Sequence, residues 1–424
     1  MAEFSLYDTD VGFDLKEWYH QQEVEYCVFK KKPFLDSLKR NPNAGGEVDP
    51  VPVLYSGGQG MGATSYSSAL ANAGAPKGAK FMVTYGTYNT FVQFDEKARR
   101  GATGKQHAFA DIVKMTTDST LDHTGLDLSV QAWGNGGAPL GQCGSIDTGT
   151  NIVTLANKDD IVNFWEGMKI VHSTTDGSTA TDTLADSGAA LTITSVNRAA
   201  GQFTYSGTDP TTLADDYLFR QYSFAGDVSQ GVLMKGIDAW NPYTVPGSTD
   251  SFFSVNRYQK DMLYGYTSNG DTTIESGNNI DRIRKLASTA NSRMGSTPED
   301  CWVHTRQWEQ LSITLQQQGI RPIEVGNSTG TAGYNALQIA CAYGTLKIKA
   351  DRHCPVTRVR LINPEYIELR SIGPVMSALD EDGLKLRKIN GTNGPAWQLD
   401  WVTYGQIIVT KPSEMAVGAL QAIS

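Results

Sequence analysis

The residues with the strongest claim to chemistry are Gly101-Ala-Thr-Gly104-Lys105, because backbone amides of a glycine turn followed by Lys can cradle a phosphate. A phosphate loop also needs a Gly with four residues between it and the Gly-Lys pair, and a hydroxyl after the Lys to hold magnesium. Arg99 and Gln106 occupy those positions, so the pattern breaks at both ends. The run GGQGMGAT at 57–64 lacks the spacing of a dinucleotide fingerprint. His353-Cys354 runs into Pro355 without a second pair at metal-ligand spacing, and His304 stands alone near Cys301. Gly141-Gln-Cys143-Gly144 offers a thiol, yet no His base is identifiable for it, and it reads as a turn. Asp380, Glu381 and Asp382 precede a Gly and read as a solvated turn or salt-bridging patch rather than a cation site. No acid, base, nucleophile or ligand set survives, so neither catalysis nor a cofactor nor a metal is expected.

The elements that carry these residues follow from composition. A chain of 424 residues exceeds the size at which one core stops growing, which predicts two or three domains. Forty-three glycines, with many Ser, Thr and Asn, favour short strands and turns over helical bundles. A formal charge of -9 excludes the average surface of a sequence-reading nucleic-acid binder. The N-terminal residues have no secretory signal pattern and no apolar run approaches a membrane span, so neither export nor a membrane partner is expected. Five scattered cysteines, odd in number, fit reduced thiols in a cytoplasm.

Along the chain, the first 45 or so residues lack a sustained period and read as an extended arm with a cationic patch, Lys30, Lys31, Lys32, Lys39 and Arg40. Residues 48–79 are rich in Gly, Pro and Ser, as suits a loop or hairpin, and FMVTYGTYNTFVQF at 81–94 has strand composition. From Lys105 the period turns helical, with Phe109, Ile112, Val113 and Thr116 on one face, and Asp111, Asp118, Asp122 and Asp127 at wetter positions. That helix is predicted to stop at Gly134-Asn-Gly-Gly137. Between Leu140 and Gly226, short runs such as NIVTL, MKIVHS, ALTITSV, QFTYS and DYLFR alternate with turns, which predicts an inserted small β-barrel or sandwich. A second amphipathic helix is expected over 280–294 and a third behind Thr305 as its cap; strands TLKIKA, TRVRLI, YIELRS, GLKLRKI and WQLDWVTYGQIIVT follow.

The collinear order of FVQFDEKARR, AWGNGGAP, GIDAWNP, CWVHTRQWEQL, LKIKADRHCPVTRVRLINPEYIELRSIG, DEDGLKLR and WVTYGQIIVTKP resembles the major capsid proteins of tailed bacteriophages, the Hong Kong 97 type. The resemblance spans nearly the whole chain except the β insertion. It implies an α+β capsid fold: an N-terminal arm at 1–47, an extended loop at 48–102, a peripheral-domain spine helix at 103–139, the inserted β domain at 140–226, and an axial domain with returning peripheral strands at 227–424.

On that reading the chain is a structural protein of the virion, assembled in the host bacterial cytoplasm, and copies of it form hexamers and pentamers of an icosahedral shell around double-stranded DNA. Gly101 and Gly104 become a hinge between extended loop and helix. Lys97, Arg99, Arg100 and Lys105 are expected to meet Asp380, Glu381 and Asp382 of a neighbouring copy, and Lys30, Lys31, Lys32, Lys39 and Arg40 to face scaffold or packaged DNA without regard to its sequence. A separate scaffolding protein, a portal and a cement protein are the implied partners. A β-rich decoration or adhesion protein is the alternative; it leaves the long helices and the basic Gly segment without a role.

Overall fold

A computed structural model describes residues 21–95, 106–179, 182–210, 213–224, 233–317, 337–379, 386–391 and 394–422. The chain enters through two short helices, α1 (Gln21–Phe29) and α2 (Pro33–Ser37), followed by strand β1 (Lys39–Asn41). An extended arm is not what residues 21–41 form. Val28, Phe29, Phe34, Leu35 and Leu38 are buried against the chain's own body, and the lysines between them hid the apolar pattern.

Strands β2 (Val48–Ser56) and β3 (Lys77–Thr84) pair only with each other and carry between them a short helix, α3 (Tyr66–Ala71). In β2, Pro50 and Pro52 are exposed and alternate with buried Val51 and Val53, a pattern tolerated on an edge strand because proline has no N–H to offer a ladder. The apparent single strand over 81–94 is two. Tyr85 separates β3 from β4 (Gly86–Asp95), and β4 joins a different sheet.

Helix α4 (Gln106–Trp133) runs 28 residues and ends at the foreseen Gly-rich stop, where Gly136 takes φ 106°. Its second half is buried nearly all round, because α1 and β4 both cover it. Gly125 is what permits the α1 contact: a Cβ there would lie 2.1 Å from the Val28 carbonyl oxygen. A mid-helix Gly costs roughly 1 kcal/mol in helix propensity, and close approach of two backbones is the reason to bear it.

Next comes a closed six-stranded barrel of β5 (Gly141–Asp147), β6 (Ile152–Leu155), β7 (Lys169–Ser173), β8 (Leu191–Asn197), β9 (Gln202–Ser206) and β10 (Tyr217–Arg220), ordered β10-β5-β6-β9-β8-β7. Its own apolar core includes Val153, Phe164, Ile170, Phe203 and Leu218. The segment Gly141–Gly144 is part of a closing strand rather than a turn; burial pushes the Cys143 thiol up to about 11, which keeps it protonated and inert near neutrality.

After the barrel the chain forms helix α5 (Ile237–Trp240), β11 (Tyr266–Thr267), α6 (Asn279–Met294), β12 (Asp300–Val303), α7 (Thr305–Gln317), β13 (Leu337–Cys341), β14 (Gly344–Ala350) and β15 (Arg358–Ile362). Helix α6 buries Ile280, Ile283, Leu286, Ala287 and Ala290, the face its 3.6-residue period predicts, and closes on left-handed Gly295. His304, not Thr305, caps α7: its Nδ1 accepts the Arg306 amide at 3.2 Å.

The final strands are β16 (Ile367–Ser371), β17 (Ser377–Ala378), β18 (Leu386–Gly391), β19 (Gly394–Val409) and β20 (Ala416–Ala419). One sheet runs β11-β20-β15-β12-β14-β13 and packs on α6 and α7. The other is organised by the 16-residue β19, which pairs with β4 along one edge and with β16, β17 and β18 along the other; β1 adds to β16 in parallel. A large core joins this sheet to the hairpin base, the arm helices and the end of α4, through contacts such as Phe34 on Trp133 at 4.2 Å between ring centres.

Candidate assembly surface

The β2–β3 hairpin changes character along its length. At its base, Val51, Val53, Phe81 and Val83 are at most 4% exposed and belong to the main core. Phe81 packs edge-on against Trp240 and Phe252, and the Met82 amide donates to the Phe253 carbonyl at 3.0 Å. An ionic cluster adds to this: Arg370 of β16 bonds Asp49 and Glu368, each at 2.5 Å, while the Tyr85 hydroxyl donates to Asp49 at 3.0 Å. Burial, then the adjacent Asp49 charge, pushes the Tyr85 phenol up to about 12, so it stays a donor.

Tyr55 still packs on the main core, and past Ser56 the hairpin runs into solvent. Leu54 is 69% exposed, Met61 76%, Tyr66 84% and Leu70 61%, and helix α3 has no buried residue, although Ser65 caps it by accepting the Ser68 amide at 3.1 Å. Scattered exposed apolar residues are ordinary, but here several fall within one hairpin tip, and none of the described residues buries them.

A second locus links hairpin, helix and barrel. Asp127 of α4, expected at a wet position, is 6% exposed and takes the Tyr88 hydroxyl of β4 and the Arg220 guanidinium of β10, the latter at 2.8 Å. Arg220 lies 4.6 Å over Trp165, which stacks on His123 at 4.3 Å. Burial raises the Asp127 carboxyl, and Arg220 opposes that shift; burial and the Asp127 charge hold the Tyr88 phenol well above its ordinary value. The arrangement clamps the barrel onto α4 and the strand that leaves the hairpin. Sequence reasoning missed it because Asp127 shares the polar spacing of Asp118 and Asp122, and only the tertiary fold covers that turn.

Of the residues expected to face scaffold or DNA, Lys30, Lys31 and Lys39 are exposed. Lys32 is not available to such partners. It is 1% exposed, and its ammonium crosses Gly125 to bond the Asp122 carbonyl at 3.1 Å and carboxylate at 2.5 Å; burial lowers its pKa. Arg40 is half-buried over the Phe29 ring and pairs with Asp36 at 3.1 Å and Glu25 at 3.5 Å. Lys97, Arg99, Arg100, Gly101, Gly104 and Lys105 lie outside the described residues, as do Asp380, Glu381 and Asp382. Among the described residues there is no group of three or more His, Cys, Asp or Glu that could hold a metal, and no helix long and apolar enough to cross a membrane.

The fold of the chain resembles the capsid asymmetric unit of cyanophage A-1(L), with 12% identity, 91% of each chain covered and a TM-score of 0.47. It also resembles the capsid of a native GTA particle, with 7% identity over 92% of this chain and 90% of that one and a TM-score of 0.42. For Mycobacterium phage Adephagia the identity is 9% over 93% and 91%, with a TM-score of 0.38. Comparison with curated proteins gives no match. Residues 215–383, from the last barrel strand through α6 and α7 to β17, match the family model of the SU10 major capsid protein.

Proposed function

We propose that this capsid protein builds the icosahedral head of a tailed bacteriophage by laying the tip of its β2–β3 hairpin over a neighbouring copy. The observation that carries this is the contrast within one hairpin, a base in the core and a tip with Met61, Tyr66 and Leu70 in solvent. Apolar surface that one chain leaves wet is buried when copies lap, and repetition through a closed shell multiplies a modest contact. The role is structural, by binding and shape rather than bond chemistry.

Within this proposal, Lys97, Arg99, Arg100 and Lys105 pair with Asp380, Glu381 and Asp382 of the adjacent copy, and Gly101 and Gly104 form the hinge between hairpin and α4. Lys30, Lys31 and Lys39 supply local, sequence-blind contact to scaffold or packaged DNA, a role from which Lys32 is withdrawn by its burial. Assembly takes place in the host cytoplasm with a separate scaffold and a portal. Negative-stain microscopy of the purified chain tests the proposal. Hollow shells or capsomers are expected, and elongated monomers or compact small oligomers refute it.

A further inference from the structure

A cavity of about 430 Å³ opens on the barrel beside the end of β10, lined in part by Asp182, Thr183, Ser187, Gly188, Gln221 and Tyr222. Two of its non-glycine lining residues, and Asp186 beside one of them, hold left-handed backbone. Asp186, Ser187 and Tyr222 hold φ of 48°, 55° and 64°, left-handed values that are sterically costly for residues with a side chain, and Gly188 beside them takes 74°. Strained residues persist only where surroundings over-determine them, and they gather at ligand-binding positions.

Here the support is visible. His172, 1% exposed, bridges two carboxylates, its Nδ1 2.8 Å from Asp216 and its Nε2 3.2 Å from Asp186, so a buried relay fixes the turn that forms one wall. The opposite wall presents the Tyr222 ring, 77% exposed, on a turn anchored by buried Phe224 packing on Phe219 at 4.9 Å. The turn thus holds Tyr222 in a left-handed backbone with its ring displayed beside the cavity.

We propose that this cavity binds a neutral sugar unit, with Tyr222 as the stacking platform and Asp182 and Gln221 as the hydrogen-bonding groups. A tyrosine face suits the C–H face of a pyranose, while a carboxylate, an amide and the hydroxyls of Thr183 and Ser187 match the donors and acceptors of adjacent ring hydroxyls. The Asp182 carboxylate, oriented by the Thr179 amide at 3.1 Å, disfavours an anionic ligand, and no Lys, Arg or His is among the lining residues. The volume lies within the range of small-molecule sites. This site is independent of the hairpin contact, so the two proposals fail separately.

The test applies purified full-length chain to a panel of neutral and acidic oligosaccharides, alongside the Y222A, Y222G and Y222F variants. The native chain should bind at least one neutral saccharide, Y222F should stay within threefold, and Y222A and Y222G should each lose at least tenfold. Glycine accommodates the left-handed backbone, so Y222G should melt no lower than the native chain, which separates loss of the platform from loss of fold. No binding across the panel, binding confined to acidic saccharides, or a loss of less than tenfold in Y222A overturns the assignment.

Discussion

Replacing the three large apolar residues of the hairpin tip together, M61S/Y66S/L70S, should leave the subunit folded and stop it assembling. The first half follows from exposure: with 76%, 84% and 61% of their surfaces in solvent, these residues contribute little to the monomer. Surface changes of that kind fall within about 0.5 kcal/mol each. The second half follows from what burial on a neighbour would return. Fully covering a large apolar side chain is worth roughly 1.5–3 kcal/mol, so the three together reach about 3–7 kcal/mol once scaled by their exposed fractions. Ordering them costs roughly 0.5–1.5 kcal/mol apiece. Taking the middle of each range, a net loss of about 2 kcal/mol per contact remains, or roughly 30-fold in its equilibrium constant at about 1.4 kcal/mol per decade. Every copy in a shell repeats that loss, so the variant should remain as subunits or capsomers in sedimentation and microscopy, with an apparent Tm within a few degrees of the native chain. Normal shells from the triple variant would refute the reasoning. So would a large fall in Tm, because it would mean that the tip packs on its own body.

Gly125→Ala places a methyl 2.1 Å from the Val28 carbonyl oxygen; overpacking of this kind costs about 1–3 kcal/mol or more and outweighs the propensity gain, so a lowered Tm and faster hydrogen exchange across α1 are expected. Arg220→Met strands a buried Asp127 and should cost about 2–3 kcal/mol, somewhat below a fully buried pair because Arg220 is partly solvated, with D127N/R220M recovering more than half by thermal denaturation. Asp160, which accepts the Asn157 amide at 2.9 Å, is pushed up from 3.8 to about 7 by burial. Between those values the folded state holds a proton that the unfolded chain has released, so this contribution is present at low pH and is lost as pH rises through about 7. D160N should flatten that part of the Tm–pH curve, and an unchanged slope would remove Asp160 as its source. R99E/R100E should block assembly while leaving the subunit folded, and normal particles from it would discard the proposed pairing with Asp380, Glu381 and Asp382.

What could be read without coordinates depended on whether local pattern and tertiary burial agree. They agree in α6, where Ile280, Ile283, Leu286, Ala287 and Ala290 form a one-sided stripe against a sheet, and in barrel strands β6 to β10, where short alternating runs lie between turns. They part company where an element is covered on several sides. In α4 the stretch from Leu121 to Trp133 is buried almost throughout, so Thr124, Asp127, Ser129 and Gln131 carry no outward signal of being interior. Strand β5 was hidden by its two glycines, and β3 and β4 read as one strand because nothing in composition marks Tyr85 as the residue at which the chain changes sheets.

The hairpin tip proposed as an assembly surface stands out in the sequence for a related reason. A hairpin that packs along its whole length would alternate apolar and polar residues from end to end, as β2 does at Val51 and Val53. Past Ser56 that alternation gives way to Gly, Ser and Ala punctuated by Met61, Tyr66 and Leu70, a composition with too little apolar area to form its own core and too much to be simply solvated. On the proposed function, such a segment gains stability from surface supplied by a neighbouring copy. The half-buried ionic cluster at the hairpin base fits the same logic. Asp49, Tyr85, Glu368 and Arg370 fix the direction in which the tip projects, and direction matters only if something must be met there. The Asp127 clamp does for the barrel what that cluster does for the hairpin. Both outlying units are therefore held by partly buried charge as well as by apolar contact, which suits parts that, on the proposed function, present a surface at a set angle in every copy of a shell.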